Sequence, residues 1–300
     1  MDYKKIIKSR KMRLEILKLL SFIPDKLMIQ MQYKIKTGRR LNLKEPKRYT
    51  EKLQWYKLYY RNPIMVQCAD KYSVRDYVKS KGLEHILNDL YGVYEDESQI
   101  QFDKLPSTFV LKTTNGGGGN NIIICDDKNK LDKEKTLRLL REWLKQKKRK
   151  SEGREWIYYD SKPKIIAEKV LPRNNENDLP DYKFFCFNGK VYCLYVMIDY
   201  VDNHNNGKLG FYDAEFNKLP YRRLDFKPIE QEIQKPKNFD EMVKIAEILS
   251  QDFPHVRVDL YNIDGKVIFG ELTFFSASGY IQFQPDEFDF ILGEQFVLPI

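Results

Sequence analysis

Lys112 closes the apolar run Phe109-Val-Leu, and four glycines, Gly116–Gly119, follow it before a second apolar run at Ile122–Ile124. Successive free backbone N–H groups in such a turn form a cradle for anions, and a lysine at its base adds a point charge. Glycines in a row carry a conformational cost on folding, so they suit a place where backbone approaches a ligand or a flap closes. The spacing is neither that of a Walker A loop, which needs G-K-[ST], nor that of a dinucleotide fingerprint, which needs a helix next. A phosphate lid and a plain hairpin tip both fit these residues.

Four further places carry charge in otherwise apolar surroundings. Asp259 lies in the strand-like run Val256–Tyr261, with Arg257 on the same face, and Glu271 and Thr273 share a face of Lys266–Phe274. A three-residue loop at Ile263–Gly265 would pair 257 with 271 and set Asp259 diagonally beside Glu271. Two converging carboxylates repel unless a cation sits between them, and Mg²⁺ takes a few carboxylate oxygens and leaves room for water and phosphate. Two acids on a solvent-facing sheet give the same pattern. Glu168 is embedded in Ile165-Ile-Ala-Glu-Lys-Val-Leu171, where it faces either water at an edge or a ligand. Asp181 and Lys183 alternate onto one strand face, solvated or lining a cleft. Lys71 sits in the first turn of a helix, a poor place for a cation on dipole grounds and a good one if an anion binds there.

The elements that must position these groups are legible from periodicity. Asp70-Lys71 opens a helix with Val74, Tyr77 and Val78 inward, ended by Gly82. Leu90–Tyr94 reads as a strand, and Asp132 caps a helix running to about Lys150. Asn188-Gly189 joins Tyr182–Phe187 to Lys190–Ile198 in a hairpin that sets Cys186 opposite Val191. Asn238 with Glu241 reads as a capping pair for a helix buried through Met242, Ile245, Ala246 and Leu249. Residues 199–235 are polar and loop-rich, with no clear element.

Composition narrows the class. The chain has 300 residues, is 42% hydrophobic and carries a net charge of +9, which excludes a disordered chain. Residues 1–50 hold 15 Lys/Arg against 4 Asp/Glu, so the basic excess belongs to the N-terminal segment. Its apolar face, Ile16, Leu17, Leu19, Leu20 and Ile23, is expected to dock on the body of the chain. Contact with an anionic membrane or a nucleic acid is the other reading of the charge. Trp55, Tyr56, Tyr59 and Tyr60 are expected to cover the core rather than stack bases. Four cysteines without a C-x-x-C spacing, and three histidines, argue against a zinc site and for reduced thiols in a cytosolic setting. No apolar run reaches the roughly 18 residues of a spanning helix.

Taken in order, Ala69-Asp-Lys-Tyr72, the lid, Gly153-Arg-Glu-Trp156, Ala167-Glu-Lys-Val170, Asp181-Tyr-Lys-Phe-Phe-Cys-Phe-Asn-Gly189, Val256-Arg-Val-Asp-Leu-Tyr261 and Gly270-Glu-Leu-Thr273 resemble the TupA-like ATP-grasp family of teichuronopeptide and capsular polysaccharide gene sets. The resemblance covers roughly residues 38–292. It implies an α+β ATP-grasp fold, two lobes clamping a nucleotide. The division expected is a basic helical segment at 1–65, a small lobe with the lid at 66–166 and a large lobe with the metal site at 167–300. It implies ATP and Mg²⁺ as cofactors. Lys71 and Lys112 would meet the phosphates under the lid Gly116, Gly117, Gly118 and Gly119. Glu168, Lys169 and Val170 would form the adenine hinge. Asp181 and Lys183 would line the nucleotide cleft, and Asp259 and Glu271, with Thr273 where the family usually has Asn, would hold the metal. Lys183 and Arg257 are the candidate catalytic residues. The implied activity is carboxylate–amine ligation through an acyl phosphate on a cell-surface polysaccharide or its precursor, with an amino acid or amine as co-substrate. Phosphotransfer to a sugar or alcohol, and glycosyl transfer, are the alternatives. The expected setting is cytoplasmic, with the basic N-terminus a candidate contact for the inner face of the membrane.

Overall fold

A computed structural model describes residues 9–116, 121–145, 153–159, 161–174, 178–200 and 207–299. It has the two-lobed α+β arrangement. The small lobe is a four-stranded antiparallel sheet, β1 (Leu90–Tyr94), β4 (Ile165–Glu168), β2 (Phe109–Thr113) and β3 (Ile122–Cys125) in spatial order. Helix α6 (Lys133–Leu144) covers it, with Leu140 buried beside Phe109, Leu111, Ile165 and Ala167. Asp132 caps α6 by accepting the Lys135 N–H at 2.9 Å. The helix ends at Leu144, and residues 146–150 lie outside the described set. Strand β4 belongs to this sheet, so Ala167 and Glu168 sit with the small lobe rather than across a boundary at 166/167.

The large lobe is a six-stranded sheet in the order β11 (Lys266–Thr273), β10 (His255–Ile263), β5 (Asp181–Phe187), β6 (Lys190–Ile198), β7 (Lys208–Asp213) and β9 (Lys227–Pro228). Its pairs are antiparallel except β7–β9. One face of β5 and β10, including Phe184, Val256 and Val258, packs on α7 (Phe239–Ser250) through Phe239, Met242, Ile245 and Leu249. The opposite face of these strands carries the charged residues. The stretch 199–235 therefore contributes β7, β8 (Arg222–Arg223) and β9. Strand β8 pairs with β12 (Phe283–Gln284) in a separate two-stranded sheet. Local pattern could not show these because β8 and β9 are two residues each and exist only through their partners.

Helices α1 (Arg10–Leu19), α2 (Asp25–Thr37), α3 (Tyr49–Tyr59), α4 (Ile64–Ala69), α5 (Val74–Ser80) and the C-terminal α8 (Phe288–Gln295) complete the chain. The start of α3 is held by two carboxylates: Glu51 accepts the Lys47 and Arg48 N–H groups, and Asp289 of α8 accepts Thr50 N–H at 2.9 Å. Negative charge is favoured there. Further along, fully buried Lys57 donates to Gln54 Oε1, Gly153 O and Ser278 O at 2.8–2.9 Å. That fixes the loop after β11, where Ala277 and Ser278 are left-handed (φ 46° and 55°).

Asn238 stands at the N-cap of α7 and pairs with Glu241 as expected, but its side chain accepts no helix N–H. Its amide is spent on Glu241 Oε2 and Gly265 O, and its oxygen on Asn262, which ties the helix start to the β10–β11 turn instead. The Asn188-Gly189 hairpin is as read, with φ of 49° and 77° and Cys186 opposite Val191. All four cysteines are free and buried.

His255 at the head of β10 is fully buried and neutral: Nδ1–H donates to Cys186 O, which leaves Nε2 to accept from Tyr49 OH, both at 2.9 Å. Burial drives its pKa down to about 3. A folded-state pKa below the unfolded one means stability is complete above the unfolded value, near 6.5, and is lost as pH falls toward 3. Wild type should lose stability relative to His255→Gln by about 1.4 kcal/mol per pH unit across that window, measured by urea unfolding at stepped pH. Parallel slopes would disprove the assignment.

Candidate active site

The cleft is built by register. Antiparallel pairing puts Tyr195 opposite Lys183, Lys183 opposite Asp259 and Asp259 opposite Glu271, one row crossing β6, β5, β10 and β11. Arg257 and Thr273 form the next row. The β10–β11 turn is a two-residue Asp264-Gly265 turn, with φ of 50° and 86°, not the three-residue loop expected. Its odd pairing sum would place Asp259 and Glu271 on opposite faces. A bulge at Gly270 restores them: Leu260 pairs with Phe269, then Asp259 with Glu271 directly. A side chain at Gly270 would put its Cβ 2.9 Å from Asp259 O.

The groups in this row neutralise one another. Lys183 Nζ lies 2.5 Å from both Asp181 and Asp259. Arg257 makes a two-pronged contact to Asp259, Nε to Oδ1 at 2.7 Å and Nη2 to Oδ2 at 2.6 Å. It also donates to Thr273 Oγ1 (2.9 Å), Tyr195 OH (3.1 Å) and Ser276 Oγ (3.3 Å), and reaches Glu271 at 3.4 Å. Thr273 in turn donates to Glu271 at 3.1 Å, so it bridges the arginine and the acid. Burial lowers the Lys183 ammonium's affinity for its proton, but Asp181 and Asp259 outweigh this and its pKa stands well above the usual lysine range. Burial would raise Glu271, yet Lys71, Lys183 and Arg257 pull it down to about 2. For Asp181 burial wins, with Asp259 adding to it, and its pKa rises to about 6 against the pull of Lys183.

The small lobe supplies the other wall. Lys112 Nζ is 2.6 Å from buried Glu168, and Arg75 of α5 lies 3.7 Å from the same carboxylate. Glu168 therefore faces two cations in the interior, not water at an edge. Asp70 Oδ1 accepts the Tyr72 and Ser73 N–H groups and closes the turn that carries Lys71. Lys71 N–H donates to Thr114 O at 2.9 Å, its Nζ donates to Gly116 O, and the ammonium lies 4.0 Å from Glu271. Burial lowers its pKa, and the charge of Lys112 adds to this. Lys71 thus joins the small-lobe cations to the large-lobe acids. Gly117, Gly118 and Gly119 lie outside the described residues.

At the expected hinge, the Lys169 N–H donates to Asp89 O and its carbonyl accepts from Asn88 Nδ2. These bonds turn the chain out of the sheet after Glu168, three residues sooner than the strand expected to Leu171. They also occupy the backbone groups of Lys169. Three members of the site were not singled out from the sequence: Arg75, Tyr195 and Ser276. Arg75 lies in α5, which begins at Val74 rather than at Asp70-Lys71 as expected, so Lys71 stands in the turn before the helix. Tyr195 and Ser276 are reached only through the fold.

The donor set suits a small hard cation. Asp259 and Glu271 pair directly across the two strands, although both Asp259 oxygens now accept from Arg257 and Lys183, and Asp181 Oδ1 is buried without a hydrogen-bond partner among the described residues. That is oxygen chemistry of the kind Mg²⁺ selects. No group of three or more His, Cys, Asp or Glu that could hold a metal occurs among the described residues, so the remaining positions would fall to water and phosphate.

Residues 51–297 match the family described as TupA-like ATPgrasp. No curated protein matches the chain. Among solved structures it is similar to D-alanine–D-alanine ligase from Bacillus anthracis (18% identity, 70% of this chain and 59% of that one, TM-score 0.42). It is also similar to the D-Ala–D-Ala ligase of Helicobacter pylori (13%, 83% and 69%, TM-score 0.46) and to an L-amino acid ligase from Bacillus licheniformis (15%, 77% and 49%, TM-score 0.45). The chain spans about half to seven tenths of the length of these proteins.

The bulge sets the pairing of the two acids, so Gly270→Ala should cost about 1–3 kcal/mol through its clash with Asp259 backbone, read by urea unfolding. Stability equal to wild type would show that the strands absorb the Cβ without shifting register.

Proposed function

Since the chain belongs to the TupA-like ATP-grasp family, we propose that it is an ADP-forming ligase that activates a carboxylate with ATP and joins it to an amine. The observation that carries this reading is a pair of ion-pair clusters, Arg75 and Lys112 on Glu168 in one, and Lys71 on Glu271 continuing through Arg257 and Asp259 to Lys183 in the other, with Lys71 in the field of Lys112 and Glu168. Five cations from two lobes face one cleft, as a polyphosphate requires.

Lys71 and Lys112 bind the triphosphate. Glu168 keeps Lys112 aimed by a buried ion pair, and Gly116 O does the same for Lys71. Asp259 and Glu271 would hold Mg²⁺, which neutralises phosphate charge when bound. The acceptor carboxylate attacks the γ-phosphorus, the bond to the β-phosphate oxygen breaks, and ADP leaves. Arg257 donates toward the oxygens that gain charge in this step, where a preorganised donor counts most. The amine then attacks the acyl carbon and expels phosphate. We assign the acceptor to a carboxyl group of a cell-surface polysaccharide or its precursor, the class implied by the sequence resemblance.

Incubation with ATP, Mg²⁺, a uronic-acid oligosaccharide and an amino acid should yield ADP, phosphate and an amide in equal amounts. Lys112→Met and Glu271→Gln should each slow ADP release by about 100-fold or more. A phosphoester formed without free phosphate would mark a phosphotransferase instead. Turnover near wild type in either variant would remove the assigned site.

A further inference from the structure

The N-terminal helices present an apolar surface that the body of the protein does not cover. Leu19 and Phe22, at the corner between α1 and α2, are 76% and 78% exposed. Leu27, Met31 and Ile35 follow at one-turn intervals along the outer side of α2, at 51%, 42% and 50%. Helical spacing places these three in one stripe. The inner side of the same helix is firmly seated: Ile29 and Tyr33 are fully buried, Tyr33 OH donates to Thr50 Oγ1, whose own proton goes to Asp289, and Gln32 Oε1 accepts from Tyr280 OH at 2.7 Å.

The corner is seated just as firmly. Arg154 is buried, with a left-handed backbone of φ 55°. Its guanidinium donates to Leu20 O and Ile23 O, both at 3.0 Å, and to Asp25 Oδ1 at 2.7 Å. A fully engaged arginine therefore fixes the turn whose outermost side chains are the most exposed large apolar groups described. This is a rigid display, not a frayed end packed poorly on the core.

Charge selects what it meets. Residues 1–50 carry 15 Lys/Arg and 4 Asp/Glu, and Lys26 and Lys34 are exposed at the rim and within the stripe. Two copies brought together on this face would oppose like charges. A surface that is apolar a few ångströms down and anionic at its top complements both features. We propose that the Leu19–Phe22 corner and the outer stripe of α2 dock on an anionic phospholipid surface, with Phe22 and Leu19 entering the acyl boundary and the lysines pairing with headgroup phosphates. No helix described is long and apolar enough to cross a membrane, so the contact is peripheral.

The test is co-sedimentation of the full chain with vesicles of phosphatidylcholine alone or with added phosphatidylglycerol. The chain should pellet with the anionic vesicles, far less with neutral ones, and release as salt rises. Leu19→Ser/Phe22→Ser, and separately Leu27→Ser/Met31→Ser/Ile35→Ser, should each weaken binding about tenfold or more. Lys26→Gln/Lys34→Gln should reduce the preference for the anionic vesicles. ADP release on a soluble acceptor should be unchanged in all three, which separates this docking from the ligase reading. Failure of wild type to bind either vesicle, equal binding to both, or apolar variants that bind as wild type would overturn the proposal. So would sedimentation velocity showing a dimer that the apolar variants dissociate, or an acidic protein partner that the variants lose while vesicle binding persists.

Discussion

Everything in the cleft depends on which side of β10 and β11 the two acids occupy, and that is decided by one extra residue. A two-residue turn pairs Ile263 with Lys266, and the strands would carry that register outward unchanged. Gly270 breaks it, so Glu271 meets Asp259 on the face that also holds Lys183 and Arg257. Glycine is the residue that fits, since any side chain there would press on Asp259 backbone. A side-chain period of two makes sheets unforgiving of a single slip, and here one slip is what assembles the site.

The second governing feature is charge balance. Asp181, Asp259 and Glu271 face Lys183, Arg257 and Lys71 within contact distance of one another. Buried ions are tolerated when each has a partner. Glu168 alone balances both Arg75 and Lys112, so the small-lobe wall keeps a positive excess. Along the cleft, the large-lobe wall sets three acids, Asp181, Asp259 and Glu271, against its own Lys183 and Arg257, and the small-lobe wall sets Lys71, Arg75 and Lys112 against Glu168, which suits a cleft where a polyanion lies against one wall and its cation against the other. Lys71 is the link between the walls, and its hold on the first lid glycine couples that loop to Glu271.

Support for the cleft comes from outside it. Helix α3 reaches under the loop that follows β11, and Lys57 and Gln54 grip Ser278 and Gly279 there. Ser276, in the same loop, accepts from Arg257. The N-terminal segment is therefore not an appendage: α3 braces the site, while α2 is seated on one side and leaves its other side exposed. Docking of Ile16, Leu17 and Leu20 on the body is in line with their half-buried state, whereas Leu19 is turned outward.

Much of this was legible because the signals were local. Asn188-Gly189 named its own turn, Asp132 its own cap, and the order of short phrases around Lys71, Lys112, Glu168, Asp259 and Glu271 pointed to the family. What local pattern could not supply was anything fixed by a distant partner. The strands of 199–235 are short and have no identity apart from their neighbours. Asn238 sits at the N-cap of α7 beside Glu241, but Gly265 and Asn262 hold its side chain away from the helix N–H groups. Arg75, Tyr195 and Ser276 join the site from three separate elements. The sequence by itself determined which side chains are charged, the Asn188-Gly189 hairpin and the start of α6 after Asp132, and that the acids and lysines belong together. Tertiary structure alone decided how they meet. Register, a bulge and the approach of two lobes depend on residues far apart in the chain, and hydrophobic periodicity carries no record of them.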